Sequence, residues 1–219
     1  MDIKILENKI KIIQNKFSAG QFDEVISDAK LLLKKFSNQQ ILYNILSLTY
    51  QKKGENIKSI DLLTSAIKKI PNNIFFLNNL GTSYYNIKNF EEAEYYFKRA
   101  LEINPKYITA INNLANLKYD LDLIDEAKKL YNQALELNNN LLEPNYNLAS
   151  FSQSTGDFDK AIYHYKKVLK INPKFTKADR NISMMTKYSL ENEHFIEMKN
   201  KLNNKNLNNF EKLELHFAI

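Results

Sequence analysis

Apolar positions along this chain recur on a 34-residue ruler. Leu80, Leu114 and Leu148 lie 34 apart and Ile182 continues the series, while Ala93, Ala127 and Ala161 repeat the interval. Pro71, Pro105 and Pro173 fall at spacings of 34 and 68. In the clearest copy, Leu77, Leu80, Gly81 and Tyr84 have the i, i+3, i+4, i+7 spacing of one helix face, and Ala93, Phe97 and Ala100 resume it after a break. Each copy is therefore predicted to be a helix, a turn and a second helix. Asn89 and Asp157 stand where an N-cap is needed, with acid in the turn that follows, and the three prolines stop the second helix. The copies align as 40–73, 74–107, 108–141 and 142–175, preceded by a degenerate N-terminal copy or cap at 1–39 and followed by a divergent copy with capping or linker helices at 176–219.

Small residues share columns of this alignment. Ser47, Gly81, Ala115, Ala149 and Ser183 form one, and Ser59, Ala93, Ala127 and Ala161 another, so paired helices can approach closely. Leu63, Phe97, Tyr131 and Tyr165 form the column expected to wedge between one hairpin and the next. A lone hairpin could not bury these faces, and stacking gives a continuous, quasi-one-dimensional core.

The pattern Leu-Gly-x-x-Tyr, then Ala-x-x-x-Phe-x-x-Ala, then Pro resembles the tetratricopeptide repeat (TPR). The resemblance implies an all-α fold, a right-handed TPR superhelix, that is, an α-solenoid of helix–turn–helix repeats. Departures are local. The aromatic expected early in the first helix is Tyr43 in one copy but Leu77, Ile111 and Asn145 in the others, and Asn139 stands where a closing Pro is expected.

In that family the first helix of each repeat lines the concave face, so the resemblance places binding residues there. One column reads Asn79, Asn113, Asn147 and Asn181; its neighbour reads Asn44, Asn78, Asn112, Tyr146 and Arg180; a third includes Asn116. A carboxamide both donates and accepts, so such a row can pair the backbone of an extended peptide without reading its sequence. The same row also follows from a composition rich in Asn. TPRs that clamp a C-terminal carboxylate carry Lys and Arg at these positions; here only the divergent copy does, with Lys177 and Arg180, three apart and able to hold one acidic group.

Composition narrows the chemistry. With 219 residues, 44% apolar content and only four Gly and four Pro, the chain can bury a core but has little room for long loops. It has no Cys, which removes thiolate chemistry and fits a reducing compartment, so a cytoplasmic location is expected. No secretion signal or membrane span is visible. The net charge of +6 raises nucleic acid, yet acids gather at the start of second helices (Glu91, Glu92, Asp125, Glu126, Asp157) and bases at their ends, as the helix dipole favours. No nucleic-acid or membrane partner is expected. His164, His194 and His216 are each isolated in sequence, His164 with an expected outer-face position, and no Gly-rich phosphate cradle occurs. Neither catalytic residues, a metal site nor a cofactor is predicted.

Residues 190–219 leave the ruler. Phe195, Met198 and Leu202 suggest one helix face, 203–209 a turn, and Phe210, Leu213 and Phe217 a further amphipathic helix whose apolar groups lack a visible partner. Either a neighbouring chain covers them or the natural protein continues. The stretches Arg180-Asn181-Ile182, Met185-Thr186-Lys187-Tyr188, Phe195-Ile196-Glu197-Met198 and Leu215-His216-Phe217-Ala218 resemble the segment that joins bacterial TPR arrays to a sulfotransferase domain. That resemblance implies a recruiting half of a larger enzyme, whose sulfuryl transfer would belong to residues absent from this chain. The expected function is a non-catalytic module that binds a protein or extended peptide; the alternative is an assembly scaffold that self-associates through its C-terminal helix.

Overall fold

The computed structural model describes residues 3–203 and 207–219, and these described residues form thirteen α-helices and no strand. The first helices of the hairpins are α1 (Ile3–Ser18), α3 (Gln40–Lys52), α5 (Ile74–Asn86), α7 (Ile108–Asp120), α9 (Leu142–Ser154) and α11 (Thr176–Ser183). The second helices are α2 (Phe22–Lys35), α4 (Asn56–Lys69), α6 (Phe90–Ile103), α8 (Ile124–Leu137) and α10 (Phe158–Ile171); α12 (Glu193–Leu202) and α13 (Asn209–Ala218) follow, and α13 is the one that packs along α11. The helices fall into two compact units, Met1–Leu123 and Ile124–Ile219, and the division lies inside the copy 108–141.

The ruler is written into the backbone. Gly20, Gly54, Lys88, Asp122 and Gly156, each 34 after the last, adopt positive φ between 60° and 78°. Each makes the turn between the two helices of its hairpin, where the left-handed conformation ends the first helix and redirects the chain. Gly satisfies this at no steric cost in three copies; Lys88 and Asp122 bear it with a side chain.

Helix ends are set by side chains. Asn89 accepts from Glu92 N and Asp157 from Lys160 N, each at 3.4 Å, as expected of N-caps. Asn73 caps α5 by accepting from Phe75 N and Phe76 N, and Asn208 and Glu211 form a capping box on α13. The second helices α4, α6 and α10 end two residues before Pro71, Pro105 and Pro173.

In unit 1 the core runs from Leu6, Val25, Ala29 and Leu42 through Leu63, Phe76 and Leu80 to Leu77, Ala100 and Ala110. Gly81 is buried because the Phe97 ring occupies the space above it; a Cβ there would sit 2.6 Å from the ring. In unit 2, Ala149, Ala161, Tyr165, Val168, Ala178 and Ile182 form one cluster, and Phe195, Met198, Leu207, Leu215 and Ala218 another.

The further amphipathic helix expected at the C-terminal end is present as α13. α13 buries Glu214, Leu215 and Ala218, whereas Phe210, Leu213 and Phe217 remain on its open side. Of the expected turn at 203–209, residues 204–206 lie outside the described residues.

Candidate functional site

Within unit 1, α3, α5 and α7 lie side by side and their amides form hydrogen-bonded pairs. Asn79 donates to Asn44 Oδ1 and, at 3.3 Å, to Ser47 Oγ. One hairpin later, Asn113 donates to Asn78 Oδ1 at 3.0 Å and to Thr82 Oγ1 at 3.4 Å. Asn78 in turn donates to Asn79 Oδ1. Asn78 and Asn79 are buried, while Asn44, Asn112, Asn113 and Asn116 are partly exposed. The seam continues through Gln51, which donates to Ser83 Oγ and Asn79 O, both at 2.9 Å.

Unit 2 uses the same column differently. Asn147 donates to the Tyr131 hydroxyl at 2.7 Å, and Asn181 to the Tyr165 hydroxyl at 2.8 Å, each bond reaching the second helix of the preceding hairpin. The wedge column explains the change. Where it carries Leu63 or Phe97 no hydroxyl is present, and the amide turns to the preceding first helix; where it carries Tyr131 or Tyr165, the buried hydroxyl takes the amide proton. Burial pushes the Tyr165 phenol up to about 12, so the hydroxyl stays protonated and also donates to Gln153 Oε1 at 2.9 Å.

The remaining expected residues engage neighbours within unit 2. Tyr146 packs edge-on against Tyr165 and Phe175, and Lys177 lies over its ring at 5.4 Å. The acidic partner of Arg180 is internal: its guanidinium donates to both oxygens of Glu214 at 3.2 Å and covers the Phe217 ring. Lys177 and Arg180 thus face different partners and do not converge on one group.

At the α3/α5 end of the seam, Asn44 lines a cavity of about 240 Å³ with Ile41, Phe75, Phe76, Gln40 and Asn73. Phe75 is 49% and Ile41 38% exposed, so two apolar side chains flank the amide on an open face. A cleft of about 530 Å³ adjoins it, sharing Gln40, Asn73 and Phe75 and adding Lys69 and Pro71.

A buried charge cluster stands out in unit 2. Asp179 is fully buried at the register position of Tyr43, Leu77, Ile111 and Asn145. Its carboxylate accepts from Lys201 Nζ at 2.7 and 2.9 Å and from His194 Nε2 at 3.0 Å. His194 Nδ1 then accepts from the Tyr188 hydroxyl at 2.5 Å. Burial, with the Asp179 charge second, pushes Tyr188 up to about 12, so this phenol is a proton donor to the ring and not a nucleophile. Periodicity alone leaves His194 isolated; the available signal is an acid in a core column.

His164 is half-buried and not on the outer face. Its Nδ1 lies 3.0 Å from Asn145 Oδ1, and burial followed by Lys167 and Lys160 lowers its pKa. It satisfies Asn145, the other polar residue in that core column. Among the described residues no group of three or more His, Asp or Glu is placed to hold a metal ion, and no helix is long and apolar enough to cross a membrane.

Residues 74–107 match the tetratricopeptide repeat family, and residues 106–174 match a second tetratricopeptide repeat description. Among solved structures, a thermophilic TPR protein of Thermus thermophilus is 21% identical, covers 82% of this chain and 98% of its own, and superposes with a TM-score of 0.69. A MamA protein is 22% identical over 78% of this chain and 93% of its own, with a TM-score of 0.59. MamA from Desulfovibrio magneticus RS-1 is 15% identical over 77% and 96%, with a TM-score of 0.62. These likenesses show the fold, an all-α array of helix–turn–helix repeats. No curated protein matches the chain.

Proposed function

We propose that this all-α chain of TPR-type repeats is a non-catalytic, cytoplasmic protein-interaction module, and that an extended peptide of its partner lies along α3, α5 and α7 of unit 1. The observation that carries this is the cavity beside Asn44, where exposed Ile41 and Phe75 flank an amide at the end of the hydrogen-bonded seam. Asn44, Asn112, Asn113 and Asn116 face the peptide backbone, and one apolar side chain of the peptide fills the cavity. Each amide contact contributes about 0.5–1.5 kcal/mol, so the apolar pocket supplies the selectivity that uncharged amides lack. Asn78 and Asn79 are buried and act as positioning residues that hold the exposed amides in place. In unit 2, Tyr146, Asn147, Lys177, Arg180 and Asn181 supply a second, more basic binding stretch.

Selection from a displayed peptide library tests this. The expected consensus contains one apolar residue in an otherwise tolerant segment. Ile41→Ala with Phe75→Ala should weaken the selected peptides about tenfold without lowering thermal stability, because both side chains are already exposed. Unchanged affinity in that variant would sink the reading.

A second reading, self-association, is favoured by one observation. Phe210, Leu213 and Phe217 lie on one face of α13 at 62%, 50% and 66% exposure. Light scattering that finds a monomer at high concentration overturns it. The recruiting role beside a sulfotransferase domain has the support of the sequence likeness in 180–198 and 215–218, and the reading frame downstream of Ile219 tests it.

A further inference from the structure

A cavity of about 830 Å³ lies in unit 2 between α10 and α12, and no first-helix amide lines it. It falls within the size range of ligand-binding pockets. Its walls carry opposite charge. Lys166 and Lys170, one helical turn apart, line the α10 side, and Glu193 and Glu197, also one turn apart, line the α12 side. Among the described residues none of these four makes an ion pair, although exposed charges elsewhere do, as in Arg99 with Glu102 and Lys160 with Asp157. Like charges spaced i, i+4 repel within each helix, so each row is left with an unanswered charge.

The floor of the cavity is fixed. His194 has both ring nitrogens occupied, by Tyr188 and Asp179, and Lys201 is held by the buried Asp179 carboxylate. Neither competes for what enters, and neither can neutralise the glutamate row. A simple anion drawn to the lysines meets two carboxylates on the facing wall, and a simple cation meets two ammonium groups. Nucleic acid, negative on all sides, is excluded by the same glutamates. The occupant must present negative charge to one wall and positive charge to the other.

We propose that this cavity is a second peptide-binding site, selective for an extended segment in which acidic and basic residues alternate. In an extended strand successive side chains point to opposite faces, and residues i and i+2 lie roughly 6.5–7 Å apart on the same face. Side chains one helical turn apart are about 5–6 Å apart. A Glu-Lys-Glu-Lys segment therefore places both acids toward Lys166 and Lys170 and both bases toward Glu193 and Glu197. A block order, Glu-Glu-Lys-Lys, has the same composition and puts both signs on both faces.

Fluorescence anisotropy with two labelled hexapeptides, one alternating Glu and Lys and one in block order, tests the proposal. The alternating peptide should bind about tenfold more tightly, and its binding should weaken steeply with added salt. Lys166→Glu with Lys170→Glu, or Glu193→Lys with Glu197→Lys, should each weaken it about tenfold or more. All four substitutions together should restore binding, since the peptide then lies with its faces exchanged. All four positions line the cavity without an ion-pair partner among the described residues, and Glu193 and Lys170 lose only helix-dipole contacts of about 0.3–1 kcal/mol each, so circular dichroism should show a folded protein. Equal binding of the two peptides, or failure of the fourfold exchange to rescue in a folded protein, overturns the proposal.

Discussion

Asn181 donates its amide proton to the hydroxyl of Tyr165, sixteen residues earlier on the preceding second helix, at 2.8 Å. The hydroxyl is buried and donates onward to Gln153, so one oxygen joins three side chains. Tyr165→Phe removes that oxygen and leaves the Asn181 donor and the Gln153 acceptor without it. A loss of about 1–3 kcal/mol is expected from urea unfolding. Tyr165→Phe combined with Asn181→Leu should cost less than the sum of the single changes. Strict additivity would mean that the bond contributes nothing.

Phe97→Tyr asks the converse question in unit 1. The new hydroxyl would stand where Tyr131 and Tyr165 stand, and Asn113 should leave Asn78 to bond it. Side-chain amide resonances of Asn78 and Asn113 should both shift; if only residue 97 responds, the wedge column does not govern the amide row.

Gly54 and Gly81 should fail for different reasons. A Cβ on Gly54 meets nothing within 4 Å, so Gly54→Ala costs only backbone strain at φ 74°, about 1–2 kcal/mol. Gly81→Ala drives a methyl into the Phe97 ring and should cost about 1–3 kcal/mol despite a better helix propensity. Phe97→Leu should rescue Gly81→Ala, as Leu63 accompanies Ser47, and should leave Gly54→Ala unchanged. Thermal unfolding of the four variants separates the two causes.

Asp179 is a buried carboxyl group in a core column, held by Lys201 and His194. Asp179→Ala leaves the partly buried Lys201 ammonium and the buried His194 imidazole without their acceptor and should cost about 3–5 kcal/mol. Replacing all three, Asp179→Leu, His194→Phe and Lys201→Met, should be near neutral or stabilising. A triple variant as unstable as the single one would show that the cluster, and not its desolvation, supplies stability.

Alkaline pH should unfold the protein through Tyr165 and Tyr188. Both phenols are raised from 10 to about 12 by burial, so the unfolded chain loses these protons first. Stability from this source is complete below pH 10 and is lost as pH rises through about 12. For fully buried Tyr165 the loss is on the order of 2–3 kcal/mol. Tyrosinate absorbance should show a component titrating near pH 12, which Tyr165→Phe and Tyr188→Phe each reduce.

The architecture was legible because the ruler encodes it redundantly. Leu80 and its equivalents mark first helices, Ala93 and its equivalents mark second helices, and Asn89 and Asp157 mark their starts as observed. Helix existence depends on local periodicity, which a linear sequence displays. The amide row was legible as a column but its partners were not. Whether Asn79 meets Asn44 or Asn147 meets Tyr131 depends on a wedge residue 16 positions away, which matters only once the hairpins are stacked. Asp179 and His194 lie 15 apart, and the irregular stretch between α11 and α12 hides their meeting from any periodic reading. The acid in the core column was the visible clue.

The switch of hydrogen-bond partner between the two units sets how each resists mechanical load. In unit 1 the Asn79–Asn44 and Asn113–Asn78 pairs run crosswise between neighbouring first helices, so tension that splays those helices must rupture them directly. In unit 2 the amides of Asn147 and Asn181 are tethered to the preceding second helix, so the same kind of hairpin boundary is held from its second-helix side. The two units thereby fasten successive hairpins through different helices, and the chemical difference between them is a single phenolic oxygen per repeat.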